Sequence, residues 1–448
     1  MSLLSRIARR TTSTMAAASP PTKTVPIPPR GVDYRGKVVL APMVRSGELP
    51  TRLLALHYGA DLVWGPETVD YSMLGTTRRV NPATNTIEWT RVPSFGQKIP
   101  PAEAKESIIF KLHPELEGRR LIFQLGSGDP ARAVEAARLV AGDVAGIDLN
   151  AGCPKPFSTT GGMGAALLRD PDRLCAILKA LVRDVAPAAQ IGISVKIRLL
   201  ETPAETEALV RRLVATGITG LTVHCRTTPM RPREPAIRGQ LRMVADVCRA
   251  AGVACLMNGD VEDRDQGLSL AAEHGADGAM IATTAERNPS CFRAAADGGP
   301  APWDEVVARF VAVCLDTHNR FGNTKFLLNN MVPGKRPEFR VMQGAKTYEA
   351  LCEALGLADL AQRARDVDAC LDLEPPKPKN EPPVGKGKDK RKRTGNPAAL
   401  ASGGSMAQAR DAAAKPRKPL SERGVDAARP QAEPRASSPN PEPTALST

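Results

Sequence analysis

The chain has 448 residues, 4% aromatic residues and a formal net charge of +13. Nine scattered cysteines without a C-x-x-C pair argue against a disulfide framework and a zinc site of standard spacing, and for a reducing compartment. No apolar run approaches the roughly 18 residues that a membrane span needs.

The charge is unevenly placed. Residues 1–30 hold five Lys/Arg and no acid, and residues 374–448 hold fifteen Lys/Arg against eight acids. Subtracting these +5 and +7 from +13 leaves residues 31–373 at +1. The body is near neutral and the basic excess lies in the two ends, where it suits a polyanion or simple solvation.

Residues 1–30 are Arg-rich, hydroxyl-rich and acid-free. They read either as a mitochondrial presequence or as an unstructured extension, with Met15 as a second possible start. From Lys37 a unit of short apolar strand and amphipathic helix repeats. Strands are expected at 38–42, 61–64, 121–125, 145–149, 192–197, 219–223, 253–257 and 277–281. Helices are expected near 48–58, 130–141, 171–184, 204–215, 239–250 and 262–273. Asp129-Pro130 and Asp170-Pro171 have the form of an N-cap followed by Pro at the first helical position. Eight strands separated by helices point to a parallel sheet covered on both faces. Over roughly 260 residues that pattern fits a (β/α)8 TIM barrel better than a Rossmann sheet.

The second unit is irregular. Within 70–120, Thr86–Arg91 and Ser107–Leu112 are expected to pair as a hairpin inserted at the barrel mouth. After Pro289 the strands stop, and 303–320 and 347–371 read as amphipathic helices of a small all-α domain, 299–373. Residues 374–448 hold thirteen prolines and no aromatic residue. Such a segment buries too little apolar surface to offset its ordering entropy, so a disordered basic tail is expected. Its run Lys386–Arg393 reads as a nuclear address, an RNA-contacting patch or solvated charge.

In a barrel the active site gathers residues from the carboxyl ends of the strands. Read in order, those ends carry Met43, Glu67, Gln124, Asn150, Lys196, His224, Asn258 and the Ala282-Thr283 turn. One polar or special residue per strand end is hard to explain by packing. Amide and ammonium donors suit the carbonyls of a planar ligand, and Met43 gives it an apolar surface. Asn258-Gly259 and Ala282-Thr283 are small enough for backbone N–H groups to approach a phosphate. A phosphorylated planar cofactor such as FMN suits this ring. Gly126-Ser127-Gly128 lacks a third glycine and reads as a strand-to-helix turn. Cys153, at the tip of the turn after the fourth strand, can act as a general acid. Its proton would reach a carbon as a hydride arrives next to it, the pair of deliveries that reduces an activated C=C bond.

Leu40-Ala-Pro-Met43-Val-Arg45, Asp148-Leu-Asn150-Ala-Gly-Cys153-Pro154, Gly161-Gly-Met-Gly-Ala-Ala-Leu-Leu168, Val195-Lys196-Ile-Arg198 and Val223-His224-Cys-Arg226 resemble the tRNA-dihydrouridine synthase family. The form of the cysteine motif is similar to the eukaryotic subgroup acting on uridine 20 of the D-loop. The resemblance runs over roughly residues 36–295. It implies a barrel flavoenzyme, residues 31–298, with FMN and with NADPH or NADH as reductant. Hydride would pass to uracil C6, and Cys153 would protonate C5. By the same resemblance Pro42, Met43, Val44, Gln124 and Lys196 would hold the flavin. His224, Asn258, Gly259, Ala282 and Thr283 would bind its phosphate. Asn150, Arg198 and Arg226 would meet substrate, although either arginine also suits a structural ion pair. The partner implied is tRNA, with the helical domain helping to bind it. A monomer without a metal or a membrane is expected, in the cytoplasm, with the nucleus open and the mitochondrion open to the long form.

The chain departs from the family at two places. Thr283 stands where family members usually carry an arginine, the nearest here being Arg287, and Asp260 stands where glycine is common. Two other readings stay open on sequence alone: a flavoenzyme for a free pyrimidine, and an RNA-binding protein whose barrel no longer catalyses.

Overall fold

The structure is a computed structural model, and it describes residues 25–92 and 106–374. The presequence-like start before Val25 and the tail beyond Glu374, with its run Lys386–Arg393, lie outside the described residues.

Eight parallel strands close into a barrel. They are Val38–Leu40, Leu62–Trp64, Leu121–Gly126, Gly146–Ala151, Gly192–Arg198, Gly220–His224, Ala254–Asn258 and Gly278–Ile281. Each pairs with its neighbours in chain order, and Val39 pairs with both Leu62 and Met280 to shut the ring. All eight lie within two residues of the expected positions. Helices Leu49–His57, Pro130–Val140, Pro171–Asp184, Pro203–Val214, Leu241–Ala251 and Arg264–His274 cover the outside. Both expected caps are present: Asp129 Oδ1 accepts from Arg132 N at 2.9 Å and Asp170 Oδ1 from Arg173 N at 3.1 Å. Such caps are each worth about 1 kcal/mol.

Strand alternation decides which residues reach the site. Leu149, Val195, Val223 and Met257 face the helices and belong to the large outer core. The residues beside them, Asn150, Lys196, His224 and Asn258, face the barrel axis. A one-residue slip in any strand would exchange the two sets.

Thr77–Asn81, Thr86–Arg91 and Ser107–Leu112 form a three-stranded antiparallel sheet. Its place differs from the barrel mouth expected for the hairpin. The sheet lies on the flank, where the second unit has no long helix. Phe110 meets Phe123 of the third barrel strand edge-on at 4.9 Å, Trp89 Nε1 donates to Leu139 O at 3.0 Å, and Arg78 pairs with Asp143 at 2.8 Å. The physical reason is apolar burial: Ile87, Trp89, Phe110 and Leu112 form one face, and the outer face of the third strand needs a cover.

The region after Pro302 contains more and shorter helices than expected: Trp303–Asp316, Phe321–Met331, Pro337–Gly344, Tyr348–Ala354 and Ala361–Cys370. Left-handed residues interrupt the two long patterns, His318 at φ 44° and Gly356 at φ 70°. This region packs on helix Leu49–His57: Leu54 and the C-cap residue Tyr58 share a core with Val307, Phe310 and Leu328. Beside the mouth, Arg45 stacks on Phe326 at 4.1 Å and Asn323 Nδ2 donates to Arg45 O at 2.6 Å.

Candidate active site

A cavity of about 750 Å³ opens at the carboxyl ends of the strands. It lies within the size range of small-molecule sites. Pro42, Met43, Val44, Gln124, Asn150, Cys153, Lys196, Arg198, His224, Arg226, Asn258, Gly259, Ala282 and Thr283 all line it. Every residue expected at the site is therefore brought to one place. Glu67, Lys155, Asp260 and Arg287 line it as well.

The cysteine loop is held from several sides. Asn150 Oδ1 accepts from the backbone N–H groups of Gly152 and Cys153 at 2.9 and 3.1 Å, which turns its amide nitrogen toward Glu67 and the cavity. Arg198 Nε donates to Gly152 O at 2.8 Å, and Ala165 N donates to Cys153 O at 2.9 Å. Gly164, at φ 56°, is needed for this closure: a Cβ there would lie 2.6 Å from Cys153 O and 2.4 Å from Ser158 Oγ. Burial raises the pKa of the Cys153 thiol, and the neighbouring Glu67 raises it further. The group is thus a thiol near neutral pH, the form that can donate a proton. All nine cysteines are free, and Cys153 is the one that is both partly exposed and at this cavity.

Below the cavity floor lies a buried polar pair. Gln124 Nε2 donates to Asp148 Oδ2 at 2.8 Å, and Ser194 Oγ donates to Asp148 Oδ1 at 2.7 Å. Burial pushes the Asp148 carboxyl up to about 6 despite these donors. This contact turns the Gln124 amide and leaves its carbonyl for a ligand. Sequence reasoning missed Asp148, because an acid inside an apolar strand has no partner until the barrel closes.

Lys196 brings an ammonium to the cavity, and burial followed by the nearby Arg198 lowers its pKa to about 8. His224 is held neutral by burial, then by the positive charges of Lys196, Arg198 and Arg226. Arg226 Nη1 lies 3.3 Å from His224 Nε2. A guanidinium only donates, so Nε2 accepts and Nδ1 carries the proton.

The two arginines expected at substrate are engaged with the protein. Arg198 Nη1 also donates to Thr227 O at 2.9 Å. Arg226 donates to Glu234 O and Pro232 O and pairs with Asp260 Oδ1 at 2.5 Å. Asp260 is thereby explained. Its carboxylate faces Arg226 and the Ala236 N–H, which donates at 2.7 Å, and both partners hold its pKa below the usual carboxylate range against the effect of burial. An acid in a phosphate-sized turn is tolerated because its charge is spent on a loop. Arg287, absent from the expected set, brings a guanidinium to the same wall as Thr283.

A flavin suits this donor set. The site has an ammonium without a hydrogen-bonded carboxylate, an oriented amide, a neutral imidazole with a free N–H, and a glycine turn at Gly259, where φ is 129°. Among the described residues no group of three or more His, Cys, Asp and Glu could hold a metal ion, and no helix is long and apolar enough to cross a membrane.

The chain matches the dihydrouridine synthase (Dus) family over residues 39–353. It is 49% identical over 348 residues to the tRNA-dihydrouridine(20) synthase (NAD(P)+) of Schizosaccharomyces pombe, covering 77% of this chain and 70% of that protein. It is 47% identical over 324 residues to the tRNA-dihydrouridine(20) synthase (NAD(P)+) of Saccharomyces cerevisiae, covering 71% and 83%. Identity to the tRNA-dihydrouridine(20a/20b) synthase (NAD(P)+) of Schizosaccharomyces pombe is 28% over 273 residues, covering 61% and 72%.

Proposed function

The chain belongs to the dihydrouridine synthase family, and we propose that it reduces the C5=C6 bond of a tRNA uracil to 5,6-dihydrouridine, at position 20 of the D-loop, with FMN and NAD(P)H. The observation that carries this is the cavity itself: a protonated Cys153 stands in one space with Lys196, Gln124, His224 and Asn258. Position 20 is favoured by the two relatives at 49% and 47% identity, against 28% for the 20a/20b relative.

Pro42, Met43 and Val44 would give a flavin an apolar wall, and Gln124 and Lys196 would offer polar groups to its ring. His224, Asn258, Gly259, Ala282 and Thr283 would hold its phosphate, with Arg287 supplying the cation that Thr283 does not. When bound and reduced by NADPH or NADH, the flavin supplies the hydride for uracil C6. The chain's own residues do the rest. Cys153 gives its S–H proton to C5, and the S–H electron pair stays on sulfur. Asn150 offers amide N–H groups to the uracil carbonyls. Lys196 stabilises negative charge as it develops beside it. Arg198 and Arg226 set the loops that frame the base, and the donors left on Arg198 face substrate. The base must leave the tRNA core to reach the thiol. The protein is proposed to act on tRNA as a monomer in the cytoplasm.

The test is a map of dihydrouridine across tRNAs from a deletion strain. Loss confined to position 20 is expected. An unchanged level there contradicts the assignment.

A further inference from the structure

We infer that Glu67 keeps Cys153 in its protonated form and returns its proton after each turnover, acting through the thiol and not on the base. This rests on the reading of Cys153 as the acid. Glu67 follows the second barrel strand. Its side chain is 8% exposed, yet it lines the same cavity as the thiol. Oε1 accepts from Ser158 Oγ at 2.7 Å, and Ser158 is fully buried on the loop that carries Cys153. Oε2 is shielded from water and makes no hydrogen bond of good geometry, while the Cys153 thiol and the Asn150 amide interact with the same carboxyl. A buried carboxylate left half-satisfied is costly and persists where its surroundings hold it for a purpose.

The space around it is shaped for it. A Cβ on Gly126 would lie 2.7 Å from Glu67 Oε1, so the third strand is bare where the carboxyl sits. Gly164 leaves room for both Ser158 Oγ and Cys153 O. Two glycines on separate elements thus seat a single Glu–Ser–Cys group.

The groups facing Glu67 are few. From the cysteine loop they are the Ser158 hydroxyl, the thiol, the Asn150 amide and the Lys155 ammonium. Lys155 is exposed, so water screens it. Lys196 and Arg198 act on the thiol from the neighbouring strand. Burial raises the Glu67 carboxyl above its ordinary range, and the same carboxyl raises the thiol. Two adjacent acids cannot both ionise in so dry a place, so the pair shares one charge at most.

The proton balance follows. As the C5–H bond forms, the S–H bond breaks, and the Glu67 carboxylate takes a proton from water at the cavity mouth, so the pair still holds one charge. The O–H bond of Glu67 then breaks as a new S–H bond forms on the sulfur, and the carboxylate is restored. One proton leaves solvent per turnover.

The experiment is the pH profile of Cys153 alkylation by iodoacetamide, read by mass spectrometry on the full chain with FMN bound. In the wild type the midpoint lies above the ordinary thiol range. Glu67→Gln lowers it by about one unit, so alkylation at neutral pH quickens about tenfold, the effect of removing one adjacent like charge. The same variant performs its first turnover at the wild-type rate and then slows about tenfold, because the thiolate waits for water. Glu67→Asp restores part of both. An ordinary midpoint in the wild type overturns the inference without need of any variant, and so does an unchanged profile in Glu67→Gln. If Cys153→Ala kept full turnover, the acid role of Cys153 would fall, and the alkylation profile would still report whether Glu67 controls the thiol.

Discussion

Arg52 and Lys196 are both cations drawn out of bulk water, and the chain treats them in opposite ways. Arg52, on the flank, is fully buried with every direction answered. Glu117 takes two of its N–H groups at 2.7 and 2.8 Å, and Gly47 O and Lys111 O each accept at 2.7 Å. Lys196, at the mouth, has an ammonium that no described residue is seen to hydrogen-bond, with a pKa lowered to about 8. The contrast separates two uses of burial. A satisfied buried charge ties the fold together. An unsatisfied one facing a cavity is kept for a ligand.

Mutations sharpen that contrast. The largest expected effect on stability is at the flank. Arg52→Ala strands the Glu117 carboxylate and should cost about 3–5 kcal/mol in denaturant unfolding. A loss below ~1 kcal/mol, the size of a surface pair, would remove the distinction. Lys196→Met should do the reverse. It should weaken FMN binding about tenfold to a hundredfold, the worth of a charged hydrogen bond, and leave the flavin-free protein no less stable.

The pH dependence gives a smaller effect with a definite sign. The folded Lys196 releases its proton near 8, and the unfolded chain holds it to the ordinary 10.5. Between those values the unfolded state binds more protons, so stability of the flavin-free protein rises with pH relative to Lys196→Met. Bound FMN should flatten the difference, because an anionic partner restores the proton. The smallest effect belongs to an exposed pair such as Arg211 with Glu207, where Arg211→Ala should change unfolding by about 0.5 kcal/mol or less.

The same division explains what could be read from residues alone. The eight strands and the ring at their ends were legible because period-two alternation puts an apolar residue outward and one polar residue inward at each end. The two long helical patterns of the carboxyl region were cut short because His318 and Gly356 reverse the backbone, which hydrophobic spacing does not report. Arg52 gave no signal, since an arginine on an amphipathic helix looks solvated until Glu117, 65 residues away, meets it. Glu67 was visible in the ring without a role, and Asp148 was hidden in an apolar strand. Both acquire meaning only when the closed barrel brings Ser158 of the cysteine loop to Glu67, and Gln124 and Ser194 of the neighbouring strands to Asp148. Arg226 and Asp260 were read separately, as a substrate contact and as an unexplained acid. They are one ion pair that braces the loop.

The most direct test is Cys153→Ala, followed by its flavin content and its dihydrouridine formation on tRNA with NAD(P)H. The expected result is wild-type FMN binding with turnover lower by about a hundredfold to ten-thousandfold, the worth of a positioned general acid. Wild-type turnover in that variant would contradict the account.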